Sequence, residues 1–379
     1  MRIHSAAGLA VLFAFVLMVA TSQALLTDGW RRVSDPIATG KHREPRAISC
    51  VSLSSCVVIG QRDGRAVAAQ WNGAQWATRS LPGSASAFYT DLACASGSSC
   101  IAIDAHGGSA RWDGTIWRSD PMPQPALAVS CPTSRDCVAV GGSGLPGAPP
   151  AAERWDGTAW TAMEVAGPAS TTFTDVACSA VRNCIAVGYA VTGPPVYKAN
   201  RPTSTVIEHW DGANWSVMPS PNAHGALANL LSAVACPAPT SCEAVGYDID
   251  AANVGTSKAS RPLILRLNAG HWALQSVPGL LAKRELTDVS CSSPAACTAV
   301  GRRQVSRTTL PSMLTLTYRW NGRAWSRAAV IDPGRKTGAS ELTGVACPTA
   351  AGCVAIGHAT RPAGRDVAFA DRWRATRRH

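Results

Sequence analysis

The sequence predicts an all-β protein, a seven-bladed β-propeller of four-stranded antiparallel blades. Three observations predict it. All 14 Cys fall into C-x5-C pairs, Trp recurs in pairs five residues apart, and no segment keeps a helical period over a useful length. Spacing between successive first Cys runs from 37 to 58 residues, a period that belongs to propellers, solenoids and arrays.

The pairs are Cys50 with Cys56, Cys94 with Cys100, Cys131 with Cys137, Cys178 with Cys184, Cys236 with Cys242, Cys291 with Cys297 and Cys347 with Cys353. None is left over. A branched apolar residue sits two before each first Cys, and Ile or Val sits three after each second Cys. Gly follows in six repeats and Asp104 in the other. Runs such as Cys184-Ile185-Ala186-Val187-Gly188 are too short for helices and are bounded by turn residues, so they read as strands. Asp-Gly or Asn-Gly between paired Trp, as in Trp155-Asp156-Gly157 before Trp160, marks a hairpin, because Gly supplies positive φ. Each repeat therefore holds four strands: into the first Cys, out of the second, into the first Trp, out of the second. Leu267 with Trp272 is a degenerate Trp pair.

The ends predict closure. Thr27-Asp28-Gly29-Trp30 has the form of a fourth strand, while Asp371-Arg372-Trp373 has the form of a third strand without a fourth. The N-terminal strand is thus expected to complete the last blade and close the ring.

Residues 1–24 read as a secretory signal. Arg2 and His4 precede an apolar run of 15 residues, Ala6 to Ala20, and Ser22-Gln23-Ala24 offers small residues before a cut at Leu25. An uncleaved anchor is the rival reading. Residues 25–379 are then one propeller domain, expected outside the cell as a monomer with no membrane span. Disulfides persist in that compartment. A five-residue hairpin loop would set the two Cys of each repeat opposite each other, so one disulfide per repeat is expected.

The repeat resembles kelch-type propellers. Cys137-Val138-Ala139-Val140-Gly141-Gly142 followed by Arg154-Trp155-Asp156-Gly157 and Trp160 is similar to their strand, double glycine, aromatic turn and Trp. A single repeat keeps Gly-Gly, and the Cys pair departs from the kelch pattern. The closer likeness is to secreted bacterial propeller repeats, which implies a fold and no reaction.

Chemistry is sparse. No His recurs in phase with the Cys, which argues against zinc, and the paired thiols leave no nucleophile. Gly142-Ser143-Gly144-Leu145-Pro146-Gly147 fits G-x-G-x-x-G, but Pro146, Pro149 and Pro150 replace the helix that a dinucleotide site needs. With seven Glu and no evident acid/base couple, no catalytic residue and no cofactor are assigned. Residues before the Trp positions (Gln70, Arg111, Arg154, His209, Arg266, Arg319, Arg372) are mostly cationic and are expected to lie on a neighbouring Trp.

Connection lengths carry the functional signal. Both hairpin spacings are invariant, whereas the offset from second Cys to Trp position is 15, 12, 18, 26, 25, 23 and 20. The variable connections share one face, which is the expected binding face. Its candidate ligand-binding residues are Lys198, Arg201, Lys258, Arg261, Arg302, Arg303 and Arg361, with Arg307 and Arg365 nearby and few acids (Asp248, Asp250, Asp366). With a formal charge of +11, the expectation is a non-catalytic binding propeller for an anionic cell-wall or surface glycan or an acidic protein, and not for nucleic acid. The alternative is a polysaccharide hydrolase or lyase, with carboxylates at the channel mouth.

Overall fold

In the computed structural model the described residues are 29–83, 87–142, 149–196, 201–254, 260–279, 283–305, 312–330, 332–333, 338–361 and 365–375. The segment read as a signal, residues 1–24, lies outside them. Among the described residues, no helix is long and apolar enough to cross a membrane.

The regular structure of the described residues is almost entirely strand, with a 3-10 turn at Ala251–Asn253. Five sheets have four strands. A sixth has eight, in which two four-stranded groups meet through one parallel pairing, Thr203 with Ala228. The strands thus fall into seven units: residues 43–80, 89–121, 128–163, 171–218, 226–274, 284–327, and 340–374 together with Gly29–Val33. Unit 1 shows the pattern, with Arg43–Ser52, Ser55–Arg62, Arg65–Trp71 and Trp76–Ser80 pairing in order as antiparallel neighbours.

Each unit follows from its sequence. The second strands are dry on both faces: Val58, Ile59, Ile103, Val140, Val187, Val245, Val300 and Ile356 are all fully buried. That explains why they read as continuous apolar runs without alternation. In the six units that have it, the glycine ending the run is a packing requirement. A Cβ on Gly188 would stand 2.0 Å from the Thr172 carbonyl oxygen, and one on Gly246 would stand 2.0 Å from that of Leu230. At the Trp hairpins the loop residue caps its own turn. Asp113 Oδ1 accepts the N–H groups of Thr115 and Ile116 at 2.9 Å, and the following Gly114 takes φ +96°.

All seven expected disulfides form, each within its own unit, and no free thiol exists. One detail of the hairpin expectation needs correction: the five residues between the cysteines are not an open loop. In unit 1, Cys50 faces Cys56 with Cα atoms 4.0 Å apart, and the strands continue to Ser52 and Ser55 around a two-residue turn. A bulge between Cys50 and Ser52 accommodates the odd count.

The ladder treats the seven bridges in two ways. Cys94 and Cys100 of unit 2 face each other directly as in unit 1, as do Cys178 and Cys184 of unit 4 and Cys291 and Cys297 of unit 6. In units 3, 5 and 7 the register shifts one residue earlier, just before the first Cys. Cys131 and Cys137, Cys236 and Cys242, and Cys347 and Cys353 therefore lie at the irregularity, yet each of these pairs keeps its Cα atoms 4.1 Å apart. The second cysteine is the inner one throughout. Cys56, Cys100, Cys137, Cys184, Cys242, Cys297 and Cys353 are all buried, whereas among the first cysteines only Cys347 is. Cys353 also meets the next-door unit, with its sulfur 3.4 Å from the Thr298 hydroxyl.

At the chain ends, Gly29–Val33 pairs in antiparallel register with Arg365–Arg374, and Trp30 faces Trp373. Arg32 Nε donates to Asp371 Oδ1 at 2.5 Å, and its guanidinium lies 4.5 Å from the Phe369 ring centre. Unit 7 also touches unit 1, where the Thr343 hydroxyl donates to the Pro45 carbonyl at 2.8 Å.

Candidate functional site

A channel-like cavity of about 370 Å³ is lined by the first strand of every unit, from Arg46 in unit 1 to Thr343 in unit 7. Its charged lining residues are Arg46 and three carboxylates, Asp91, Asp175 and Asp288, each three residues before the first Cys of units 2, 4 and 6. Each carboxylate clamps two units. Asp175 Oδ1 accepts its own unit's Val176 N–H at 2.7 Å, while Oδ2 accepts Val234 N–H of unit 5 at 2.7 Å. Asp288 does the same for Val289 and for Val345 of unit 7, and Asp91 for Leu92 and for Val129 of unit 3. Serine one residue before the Cys adds a second clamp: Ser49 accepts Cys94 N–H, Ser130 accepts Cys178 N–H and Ser290 accepts Cys347 N–H, at 3.0–3.1 Å.

These side chains face the lumen but are enclosed by protein. Desolvation raises all three carboxyls, and repulsion from neighbouring carboxylates adds to it at Asp175 and Asp288. Asp288 is pushed up to about 7 by burial, against the pull of its two backbone donors. Raised carboxyls in a channel fit a general acid in principle. Here, however, each carboxylate is already committed to two backbone N–H groups, so the set works as inter-unit clamps. Among the described residues, no group of three or more His, Cys, Asp or Glu could hold a metal ion.

Above the channel, on the face of the variable connections, a polar network spans units 4 to 7. Arg302 bridges Glu285 at 2.6 Å and Glu341 at 2.8 Å. Ser260 donates to Glu285 at 3.0 Å, and His358 Nε2 lies 3.5 Å from Glu341. Glu285 is directly opposite Arg302 in the ladder, and Tyr247 and Tyr189 hold the matching position on the second strands of units 5 and 4. Burial raises the Tyr247 phenol, Glu285 raises it further, Arg302 pulls it down and Tyr189 adds a last upward push. The four groups therefore share one electrostatic neighbourhood. Across the mouth, the Arg46 guanidinium lies 3.8 Å from the Phe88 ring centre and 3.2 Å from Glu44.

Of the basic residues singled out in the sequence, Arg302 belongs to this network. Arg261 is held by Asp248 at 2.7 Å and Asp250 at 3.5 Å. Arg201 is half-buried just before the strand Thr203–Trp210, and Arg303 is half-buried on the strand Ala296–Val305. Lys198 and Lys258 lie outside the described residues, as does the side chain of Arg361. Sequence reading missed Glu285, Glu341, Tyr189 and Tyr247, together with the three channel aspartates.

Three of the arginines preceding the Trp positions stack between units, whereas Arg154 reaches Asp136 at 2.8 Å. Arg111 lies 5.6 Å from the Trp155 ring centre, Arg266 lies 4.5 Å from that of Trp320, and Arg319 lies 3.2 Å from that of Trp373. Unit 1 has Gln70 at this position, and Arg79 from its fourth strand covers Trp112 instead, at 5.3 Å.

No protein-family model matches the chain, and no curated protein sequence matches it either. Solved structures do. YCF48 bound to D1 peptide is 12% identical, with a TM-score of 0.56 over 93% of this chain and 99% of that one. The RRP9 WD40 repeats are 8% identical, with a TM-score of 0.60 over 92% and 99%. The WD40 β-propeller domain of Doa1 is 10% identical, with a TM-score of 0.56 over 90% and 97%. At such identities the likeness is one of fold: a WD40-like propeller repeat, here with a disulfide in each of its seven units.

Proposed function

We propose that the protein is a secreted, non-catalytic binding propeller of seven blades, its ring closed by the N-terminal strand. It acts as a monomer and recognises an anionic glycan or an acidic protein through the face of the variable connections. The observation that carries this reading is the division of labour between the two ends of the units. Both hairpins at one end are fixed by a disulfide or a capped Trp turn. The connections at the other end differ in length from unit to unit and surround the polar mouth of the channel. A rigid scaffold with variable loops is the usual arrangement of a recognition surface, and YCF48, a neighbour in fold, is bound to a peptide.

The formal charge of +11 favours anionic partners, and seven disulfides suit an oxidising compartment. The competing reading, a polysaccharide hydrolase or lyase, draws support from the raised channel carboxyls. Their double commitment to backbone donors counts against it, because a general acid needs a free oxygen facing its substrate.

The test is comparative. Lys198, Arg201, Lys258 and Arg261 are reversed to Glu in one variant, and Arg323, Arg327, Arg377 and Arg378 in another. The loop variant should lose binding to anionic glycans or acidic peptides on an array, while the control variant keeps it. Equal losses would reduce the effect to net charge and overturn the loop assignment.

A further inference from the structure

Two hydroxyls on the third strand of unit 6 are left without partners. Thr315 and Thr317 share one face of the strand Ser312–Trp320, opposite Arg302 and Val300 in the ladder. They are 2% and 1% exposed, and neither hydroxyl meets a hydrogen-bond partner among the described residues. A buried hydroxyl in that state is uncommon and calls for an occupant. Both line a cavity of about 560 Å³ at the variable end of the unit, within the range of about 300–1,000 Å³ usual for small-ligand sites. The equivalent hydroxyls of two other units are satisfied by the protein itself. Ser109 of unit 2 stands three residues before Trp112, as Thr317 does before Trp320, and donates to the Asp120 carbonyl at 2.8 Å. Thr205 of unit 4 stands five before Trp210, as Thr315 does before Trp320. Its hydroxyl meets that of Ser220 at 2.5 Å and lies 3.3 Å from Asn222 Oδ1, which also accepts the Thr205 N–H at 2.9 Å. Ser220 and Asn222 belong to the connection that leaves unit 4. The connection that leaves unit 6 bonds the Thr317 carbonyl through Ala328 N–H at 3.0 Å, then forms the cavity wall without satisfying either hydroxyl.

We propose that the cavity beside Thr315 and Thr317 holds a neutral N-acetylhexosamine unit. An occupant has to supply in unit 6 what the protein supplies in unit 4, a hydroxyl and an amide carbonyl close together. An acetamido sugar carries both on neighbouring ring carbons. Its hydroxyl stands in for Ser220 and its acetamide carbonyl for Asn222. Thr317 adds a second hydroxyl where unit 4 has Ile207. Arg303, Arg327 and Asp332 put both signs of charge on the wall, so charge alone selects no ion, and all three can bond sugar hydroxyls. The site goes beyond the loop-based reading and does not need it, because its ligand is uncharged.

The probes are N-acetylglucosamine and N-acetylgalactosamine, each titrated against the purified protein by saturation-transfer NMR, with glucose as the sugar that lacks the amide. At least one acetamido sugar should bind at about millimolar concentration, and glucose roughly tenfold more weakly or not at all. T315V combined with T317V keeps the side-chain shape and should weaken binding roughly tenfold or more, the size of two lost hydrogen bonds. Its melting temperature should equal or exceed that of wild type, since no hydrogen bond within the protein is lost. T315S combined with T317S keeps both hydroxyls and should retain binding. Ala329→Trp fills the cavity from an exposed position and should abolish binding without touching the strand. The loop charge-reversal variant should bind the sugar as wild type does, which separates this site from the loop reading. Failure of both acetamido sugars to bind, equal binding of glucose, or unchanged affinity in the double Val variant would each overturn the proposal. A lowered melting temperature in that variant would assign the hydroxyls to bound water and overturn it too.

Discussion

The Asp288 carboxylate accepts the backbone N–H of Val345 at 2.6 Å, joining positions 57 apart in sequence and two neighbouring units in space. Its other oxygen holds Val289 N–H of its own unit. Removing the carboxylate strands two amides facing a narrow lumen. Asp288→Ala is expected to cost about 1–3 kcal/mol, read as a lower urea midpoint. A midpoint equal to wild type would show that lumen water serves those amides equally well.

The sign of the pH dependence follows from the raised carboxyls. Asp288, Glu153 and Glu243 are each pushed up to about 7 by burial, with opposing pulls from backbone donors or, for Glu243, from Arg266. Unfolded carboxyls titrate near ~4. A proton bound more tightly in the folded state stabilises it, so this contribution is full below pH ~4 and is lost as pH rises through about 7. Melting temperature should therefore decline from pH 5 to pH 8 at constant ionic strength. Asp288→Asn and Glu153→Gln should each flatten that decline. A melting temperature that rises over the same interval would contradict the assignment.

Deleting the strand Gly29–Val33 should expose the edge of Arg365–Arg374 and leave Asp371 buried without Arg32. An unpaired edge recruits other chains, so the truncated protein is expected to aggregate and to melt earlier. Light scattering during a thermal ramp reads this directly. A monomeric truncation with unchanged melting would argue against the strand as the lock of the fold.

Each disulfide closes a short ring and should contribute roughly 2 kcal/mol on the chain-entropy model. A double variant, Cys236→Ser with Cys242→Ser, is expected to keep the fold and lose about that much. Peptide mapping of the wild type should return only the seven within-unit pairs. Any bridge between units would contradict the cross-strand register.

Much of the fold was legible because covalent and packing constraints repeat in every unit. A Cys pair fixes two strands in register, and a Trp pair around a Gly turn fixes the other two. The mouth was not legible, for a reason of register. Counting back from the Cys291–Cys297 pair without a break places Leu286 opposite Arg302. The bulge between Leu286 and Asp288 shifts the ladder by one and brings Glu285 there instead. Arg261 reads in sequence as a loop cation for a ligand but faces Asp248 directly across its own hairpin. The channel aspartates escaped notice because they occur in units 2, 4 and 6 only, while Ala47, Ala128, Ala233 and Gly344 fill the equivalent places.

The channel clamps carry a consequence of parity. Each aspartate serves two amides, its own unit's and the next one's, so three aspartates serve Leu92, Val129, Val176, Val234, Val289 and Val345. Seven is odd, and Ile48 is left over. A fourth aspartate at position 344 would reach it, but that place is Gly344, where even a Cβ would sit 3.3 Å from Ile48 and Ile356 side-chain carbons. The twofold alternation therefore has to break once, and it breaks between units 7 and 1. At that seam the Thr343 hydroxyl still donates to the Pro45 carbonyl, the contact that Thr174 makes with Leu231 and Thr287 with Leu342 beside their aspartate clamps, so the hydroxyl is kept where the carboxylate is lost. Arithmetic alone denies the seven units perfect equivalence, and the odd position coincides with the junction of the two chain ends.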